Sequence, residues 1–216
     1  PAAKQPLELA VPVTDTAILQ RETAVPVWGW DVPGTKVTVQ FAGQTKTAIA
    51  DKHGDWMVKL NPLKVSRAER NLEVKNSRGQ AITLKGVLVG EVWFSSGQSN
   101  MVWTADKSMC NQLARHLASA KDEVLIREIN INTMSALYPQ KRATSDDGWK
   151  KISAAGSFSA LSLSFAHELY KDLNMPIGIL LSAHSNTRVE AFTQRGAIEA
   201  HPRLKGDADL MRDADP

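Results

Sequence analysis

The spacing of apolar residues changes near residue 87, and this change limits the chain to an architecture of two parts. Before it, short runs such as Val37–Phe41 and Trp56–Leu60 alternate apolar and polar residues. Such alternation predicts half-buried strands. Turn signals such as Gly43 and Ser77–Gly79 separate the runs by roughly 8–12 residues, which is the spacing of an all-β sandwich. Residues 1–86 are therefore predicted to form an N-terminal β-sandwich-like domain.

The second part, residues 87–216, shows a different pattern. Val87–Phe94 and Ile177–Ser182 are short apolar runs that predict buried strands, and Val124–Ile131 is a third candidate strand. Helical patterns separate these runs. Strands that alternate with helices around a buried sheet indicate an α/β layered domain.

Two helices are predicted in this second part. Asn111–Lys121 has apolar residues on one side. A second helix is indicated by apolar residues at three- and four-residue spacings, which would give it one apolar face. These residues are Phe158, Leu161, Phe165, Leu169 and Leu173. Asn174 is a suitable left-handed cap for this helix, and Pro176 prevents its continuation.

The composition excludes several kinds of partner. The chain carries 26 Lys and Arg against 23 Asp and Glu, a net charge of +3, and these charges are scattered. Proteins that bind nucleic acid or a charged membrane surface concentrate their basic residues, so neither partner is expected. The apolar runs are shorter than the roughly 20 residues of a transmembrane helix. The single cysteine, Cys110, excludes an internal disulfide and a cysteine-built metal site.

A serine-containing loop, Ser95–Met101, follows the first apolar run of the second part. Open α/β sheets bind ligands at the carboxyl ends of their strands, where this loop is expected. A tight turn with a glycine can expose a serine hydroxyl beside backbone N–H groups that bind an oxyanion. The loop resembles a nucleophile elbow in which Met101 replaces the final glycine. Ser99 is therefore a candidate nucleophile, and an ordinary polar turn is the simpler alternative.

The longer segment Gly90–Met101 resembles the opening block of the sialate O-acetylesterases, which belong to the SGNH hydrolases, a group of serine esterases. Other blocks resemble the same family in the same order along the chain. They are Ala17–Arg21, Val25–Trp30, Pro33–Val37, Gly148–Trp149, Phe158–Ala160, Phe165–Leu169, Asn174–Gly178 and Thr187–Thr193. The resemblance implies an incomplete SGNH-hydrolase-like α/β layered domain preceded by an all-β sandwich-like domain, the N-terminal part of such a protein.

The resemblance also implies a carbohydrate esterase that removes O-acetyl groups from sialic acid or related acetylated sugars. Ser99 would be the nucleophile that forms an acyl-enzyme, and its backbone N–H would contribute to the oxyanion hole. Gln98 and Asn100 would shape the loop or contact the substrate. This chemistry uses the serine directly, so no metal or other cofactor is implied. A periplasmic or secreted location is favoured by the resemblance, although no basic-then-apolar leader is visible.

One departure from the family pattern concerns the oxyanion hole. Family members usually have Trp-Gly-Gly where this chain has His184, Ser185 and Asn186. Glycine there lets the backbone take unusual dihedral angles. Asparagine tolerates left-handed geometry better than most residues, so Ser185 and Asn186 would still supply an N–H or a carboxamide. The alternative is a distorted hole.

A second departure concerns the catalytic base. The family places an Asp closely followed by a His near the C-terminus, and no such pair follows Thr187 here. Among the five histidines, His184 is the local candidate for a substitute base. We therefore expect the chain alone to have little or no esterase activity. A second chain or a missing C-terminal segment would complete the active site, and the truncated sheet would expose an edge and apolar surface.

Two further functions fit the sequence. Trp28, Trp30 and Trp56 would present an aromatic face to a sugar in a carbohydrate-binding protein whose second part is catalytically degenerate. The third possibility is a scaffold or interaction protein without a small-molecule site. Trp28 and Trp30 are two residues apart, so they share one face of a strand, and packing is the simpler role for both rings.

Overall fold

The computed structural model of the protein describes residues 6–120, 124–134, 136, 139–204 and 206. The strands are β1 (Glu8–Leu9), β2 (Ile18–Gln20), β3 (Val25–Trp30), β4 (Lys36–Phe41), β5 (Gln44–Ile49), β6 (Asp55–Leu60), β7 (Ser66–Asn76), β8 (Ala81–Gly97), β9 (Ile126–Asn130), β10 (Trp149–Lys151) and β11 (Ile177–Ala183). The α-helices are α1 (Ser99–Val102), α2 (Asn111–Ser119), α3 (Ala160–Leu173) and α4 (Arg195–Ala200). Short 3-10 segments lie at Ala105–Lys107, Ile152–Ser157, Val189–Phe192 and Pro202–Leu204. Lys121, the last residue of the first predicted helix, lies outside the described residues.

The first part of the chain forms antiparallel pairings that share one apolar core. β1, β3 and β6 form a small sheet, and β5, β4 and β7 lie at one end of a larger sheet. The alternate residues Val37, Val39 and Phe41 of β4 are buried, as the period-two pattern predicts. They lie in one core cluster with Val27 and Leu60 of the small sheet. These strands confirm the sequence pattern, while a β-sandwich domain of residues 1–86 stays a prediction.

β8 runs without interruption from the first part of the chain into the second. Its residues up to Val89 pair antiparallel with β7, and Leu88–Gly90 also pair parallel with β2. Its later residues, Glu91–Gly97, pair parallel with β11. The boundary predicted between residues 86 and 87 therefore falls inside one strand, at Gly86 with a φ of +68°, and not in a linker.

The second part of the chain is built on the parallel strands β9, β11 and β8, and β10 pairs antiparallel with β9. One face of this sheet packs Ile177 and Ile179 of β11 with Leu117 of α2 and Leu163 of α3. Ile129 belongs to a separate cluster on the other face. Helices that cover parallel strands define the α/β class, so the predicted class of this part is confirmed.

α3 shows which side of an apolar helix the sheet covers. Ser159 caps its first turn, and Asn174 ends it with a φ of +47°, as predicted. Leu163 is fully buried against the sheet. Leu161 and Phe165, which belong to the predicted apolar face, are exposed instead. The spacing therefore located the helix correctly but did not identify its buried side.

Candidate active site

The carboxyl ends of β8 and β11 lie side by side. Gly97 of β8 is in register with Ala183 of β11, and the N–H of His184 donates to the carbonyl oxygen of Gly97 at 3.0 Å. The loop after β8 and the loop after β11 therefore leave the sheet at neighbouring points. This is the edge at which parallel strands of an α/β sheet usually present a ligand site.

Ser99 is the first residue of α1, directly after β8. Gly97 has a φ of +146°, and a Cβ atom at this position would lie 2.8 Å from Cγ of Met101. Both facts favour glycine at position 97, because glycine adopts this φ without strain and has no Cβ atom to collide with Met101. The resulting turn leaves Ser99 half-buried, between the exposed side chains of Gln98 and Asn100. The catalytic or substrate-binding roles of these three residues stay predictions.

Asn186 adopts a left-handed backbone conformation, which glycine also enters readily. Its φ is +58°, in the left-handed region that asparagine enters more readily than most residues. Ser185 and Asn186 are both exposed, and the Thr187 hydroxyl donates to the carbonyl oxygen of Ser185 at 3.4 Å. The turn therefore forms without glycine. That this turn supplies a donor to the oxyanion hole stays a prediction.

A groove with a volume of about 440 Å³ lies over the carboxyl ends of β9 and β11. It is lined by Val102, Asn130, Ile131, Asn132, Thr133, Ala183, His184 and Ser185. Val102 belongs to α1, the helix that begins at Ser99. The groove therefore reaches α1 at Val102, three residues after the candidate nucleophile along the chain.

The structure brings only part of the predicted site to this groove. Ser185 is in the lining, and the other predicted site residues lie outside it; they are Gln98, Ser99, Asn100 and Asn186. Sequence analysis missed Asn132 and Thr133, which follow β9 directly. Polar residues just after a predicted parallel strand are the signal that would have found them.

His184 is oriented by a residue on the β9 side of the site. Its Nδ1 atom lies 3.0 Å from the Thr133 hydroxyl, at hydrogen-bonding distance. β11 lies between β9 and β8 in the sheet, so this bond draws the ring toward β9, whereas Ser99 follows β8. This geometry does not favour His184 as the base for Ser99.

The remaining histidines lie on other elements. The backbone N–H of His53 donates to Asp51 in the turn before β6. His116 is on α2 and His167 is on α3, where burial lowers the pKa of His167. His201 is exposed directly after α4.

Glu128 is a buried carboxyl group that sequence analysis missed. It lies on β9 and is 1% exposed, and both its carboxylate oxygens accept from the backbone N–H of Ser159 at 3.2 Å. Burial raises the pKa of Glu128 to about 7, while the hydrogen bond from Ser159 and the charge of Lys150 oppose this rise. Glu128 thereby links β9, whose last residue Asn130 lines the groove, to the start of α3.

The aromatic face needed by the carbohydrate-binding alternative does not form from the three tryptophans. Trp30 and Trp56 are buried, and the guanidinium group of Arg142 lies 3.9 Å from the ring centroid of Trp30. Trp28 is half-buried against the core of the first part. These three rings therefore do not provide a sugar-binding face, so the carbohydrate-binding alternative loses the structural support expected from them.

Within the described ranges, no group of three His, Cys, Asp or Glu side chains is arranged to hold a metal ion. No helix in the described part of the chain combines the length and the hydropathy that crossing a bilayer requires.

A solved structure defines the class of the fold. The crystal structure of a carbohydrate acetylesterase from Xanthomonas citri matches with a TM-score of 0.81 and 30% sequence identity, over 90% of this chain and 44% of that chain. The α/β fold of this chain is thus one found in carbohydrate acetylesterases. No family model matches the sequence.

Curated sequences give the family. The mouse sialate O-acetylesterase is 28% identical over 206 residues, which are 85% of this chain and 37% of that protein. The human sialate O-acetylesterase is 29% identical over 208 residues, which are 87% of this chain and 39% of that protein. These matches confirm the predicted resemblance of this chain to the sialate O-acetylesterases. It spans less than two fifths of the length of these curated relatives.

Proposed function

We propose that the chain carries the nucleophile of an esterase that removes O-acetyl groups from sialic acid or related acetylated sugars. The position of Ser99 carries the proposal: it is half-buried on the turn after β8, where β8 and β11 end together. The acetylesterase names of the relatives supply the substrate class. Acetyl transfer to a serine needs no bound metal or cofactor.

The proposed reaction has two steps. Oγ of Ser99 attacks the acetyl carbonyl carbon, a base accepts the hydroxyl proton, and the sugar leaves as an alcohol after it takes up that proton. Water then attacks the acetyl-serine ester, releases acetate and restores the hydroxyl. The carbonyl oxygen becomes negative in both steps. The backbone N–H of Ser99 and a donor from Asn186 would stabilise it, and one such donor contributes about 3 kcal/mol.

The base is proposed to come from polypeptide beyond the matched region. His184 is held by Thr133 on the β9 side, and the relatives are more than twice as long as the region they share with this chain. β8 also offers a place for further structure. The N–H of Val92 donates to Oε1 of Gln20, on the edge of β8 opposite β11. Alternate residues of a strand point their N–H groups to the same edge, so those of Phe94 and Ser96 also point away from β11. The proposal therefore includes little or no activity for the chain alone.

The test is acetate release from an aryl acetate. The chain alone is expected to stay near the background rate. The rate should rise when a second polypeptide supplies the part of a sialate O-acetylesterase that this chain does not match. In that complex Ser99→Ala should lower the rate at least about 1,000-fold, whereas the matched control Ser96→Ala, two residues after Phe94 on β8, should retain it.

Three results would count against parts of the proposal. A robust rate from the chain alone would show that it already has its base. A rate in the complex that survives Ser99→Ala would exclude this serine as nucleophile. A complex that forms and binds an acetylated sugar without hydrolysing it would instead support the catalytically degenerate carbohydrate-binding alternative.

A further inference from the structure

The groove beside α1 has a lining whose chemistry differs from that of an anion site. The described residues in its lining include no lysine or arginine. Two asparagines, a threonine and a serine supply neutral donors and acceptors; they are Asn130, Asn132, Thr133 and Ser185. A carboxylate is usually bound by charged donors, most effectively by the planar fork of arginine. A sugar hydroxyl needs only a neutral donor or acceptor.

The basic residue nearest to the lining along β9 is engaged elsewhere. Arg127 is buried, and its guanidinium group donates to the carboxylate of Glu69 at 2.6 Å and to the carbonyl oxygen of Gly86 at 2.6 Å. An acidic group stands close to the lining instead, because Nδ2 of Asn132 donates to Asp146 at 2.8 Å. Asp146 therefore places a negative charge beside the polar lining.

Hydrogen bonds hold the polar lining in place. Nδ2 of Asn132 also donates to the hydroxyl of Thr144 at 3.1 Å, so both amide hydrogens have acceptors and Oδ1 is left to accept from a ligand. The Thr133 hydroxyl lies 3.0 Å from Nδ1 of His184, which leaves Nε2 of the exposed ring for a ligand. Groups fixed in this way lose little freedom when a ligand binds.

We propose that this groove binds the sugar ring of the acetylated substrate and selects uncharged sugars, with the Thr133–His184 pair and Asn132 as its specificity-determining residues. The proposal rests on the proposed function, because Val102 of the lining is three residues after Ser99 in α1, and it narrows the substrate class from sialic acid or related acetylated sugars to the uncharged ones. In this proposal the ring lies in the groove and its acetyl group extends past Val102 toward Ser99. A free carboxylate on the same ring would meet neutral amides and Asp146, and the described lining contains no lysine or arginine to bind it.

The test compares an acidic probe with two neutral ones. 9-O-acetyl-N-acetylneuraminic acid and its carboxyl methyl ester share the ring and the acetyl group, and methyl 6-O-acetylglucopyranoside is a neutral sugar of smaller size. Binding to the Ser99→Ala chain is measured by ligand-observed NMR titration, so that no probe is hydrolysed. Both neutral probes are expected to bind at least about tenfold more tightly than the acid, the effect of one unpaired polar group.

Variants locate the binding in the groove. Thr133→Val keeps the shape of the side chain and removes the bond to His184, so it should weaken binding of the methyl ester about tenfold. Thr47→Val on β5 removes an exposed hydroxyl far along the sheet from β9 and should leave binding unchanged. Circular dichroism establishes that both variants are folded. Both substitutions are made in the Ser99→Ala chain, and the comparison of the probes on Ser99→Ala alone does not depend on either of them.

The outcomes separate this proposal from the proposed function. Equal or tighter binding of the acid, no binding of either neutral probe at millimolar concentration, or binding that Thr133→Val leaves intact would each overturn the sugar subsite. These results do not depend on the hydroxyl of Ser99. Selective binding of neutral sugars, combined with a reconstituted enzyme that survives Ser99→Ala, would instead support the subsite and exclude Ser99 as nucleophile.

Discussion

Glu128 is an ionisable group that folding removes from water. Its pKa is raised to about 7, with burial as the main cause. The folded protein therefore binds this proton more tightly than the unfolded chain does. The stabilisation from this group is complete below the ordinary pKa of 4.5, and it is lost as the pH rises through about 7. At pH values well above 7 the loss of stabilisation no longer changes with pH.

Replacing Glu128 should remove this pH dependence. The difference between 4.5 and about 7 corresponds to roughly 3 kcal/mol, so the free energy of unfolding of the wild type should fall by up to that amount between pH 5 and pH 8. Glu128→Gln keeps an acceptor for the N–H of Ser159 but has no charge, and its stability should change much less. Urea denaturation at both pH values measures the difference. The control Glu22→Gln changes an exposed residue and retains Glu128, so its free energy of unfolding should decrease with pH as in the wild type. An equal decrease in Glu128→Gln would refute the argument.

Single residues differ in how far the sequence reveals them. The left-handed conformation of Asn186 was predictable, because few other residues adopt it so readily. The burial of Glu128 was not, because adjacent charged residues such as Arg127 and Glu128 normally indicate exposure. Thr133 was missed for another reason: its bond to His184 joins loops that are 51 positions apart in sequence. Local patterns carry no information about such a contact.

Secondary-structure elements were predictable where one periodicity dominates. The bounds of β11 and α3 follow from an apolar run, a left-handed cap and a proline. β8 was divided at residue 86 because the sequence pattern changes there, although the backbone continues as one strand. The change in pattern reflects a change of neighbours, from β7 on one side to β11 on the other. Neighbouring strands are a tertiary property that periodicity does not encode.

Arg127 connects β9 to the elements of the first part of the chain. Its side chain donates to the carbonyl oxygens of Thr16, just before β2, and of Gly86 in β8, and it pairs with Glu69 of β7. Arg127→Leu would remove this donor from the carbonyl oxygens of Thr16 and Gly86, whereas Glu69 would keep its ion pair with Lys151. We expect a loss of about 2–3 kcal/mol in the free energy of unfolding, as for other buried polar groups that lose a partner.

The control for this prediction is the exposed residue Arg70 on β7. Arg70→Leu should change the free energy of unfolding by less than about 0.5 kcal/mol. Arg127→Lys keeps the charge but lacks the planar set of donors, so its stability should lie between those of the wild type and Arg127→Leu. Urea denaturation of the three variants and the wild type in one buffer measures the order of their free energies of unfolding. Equal stability of Arg127→Leu and Arg70→Leu would show that Arg127 is not a structural anchor.

The whole molecule presents an apolar surface around the open side of β8. We call it the β8 patch; it consists of Trp93, Phe94, Trp103, Leu161 and Phe165, all of which are exposed. Trp93 and Phe165 contact each other edge to face at 5.2 Å, so part of the patch is already ordered. Exposed apolar side chains beside a strand edge that has no partner strand among the described residues favour association with another polypeptide.

The chain alone should therefore self-associate through the β8 patch. Sedimentation velocity over a range of protein concentrations should show a shift from monomer to larger species. Phe94, which is 68% exposed at the open edge, is the most sensitive position, and Phe94→Lys should move the shift to higher concentration because a charge would have to be buried on pairing. Val65→Lys changes an exposed apolar residue just before β7 and should leave the shift in place. A monomer at every concentration, or equal effects of the two lysines, would mean that the open side of β8 does not drive association.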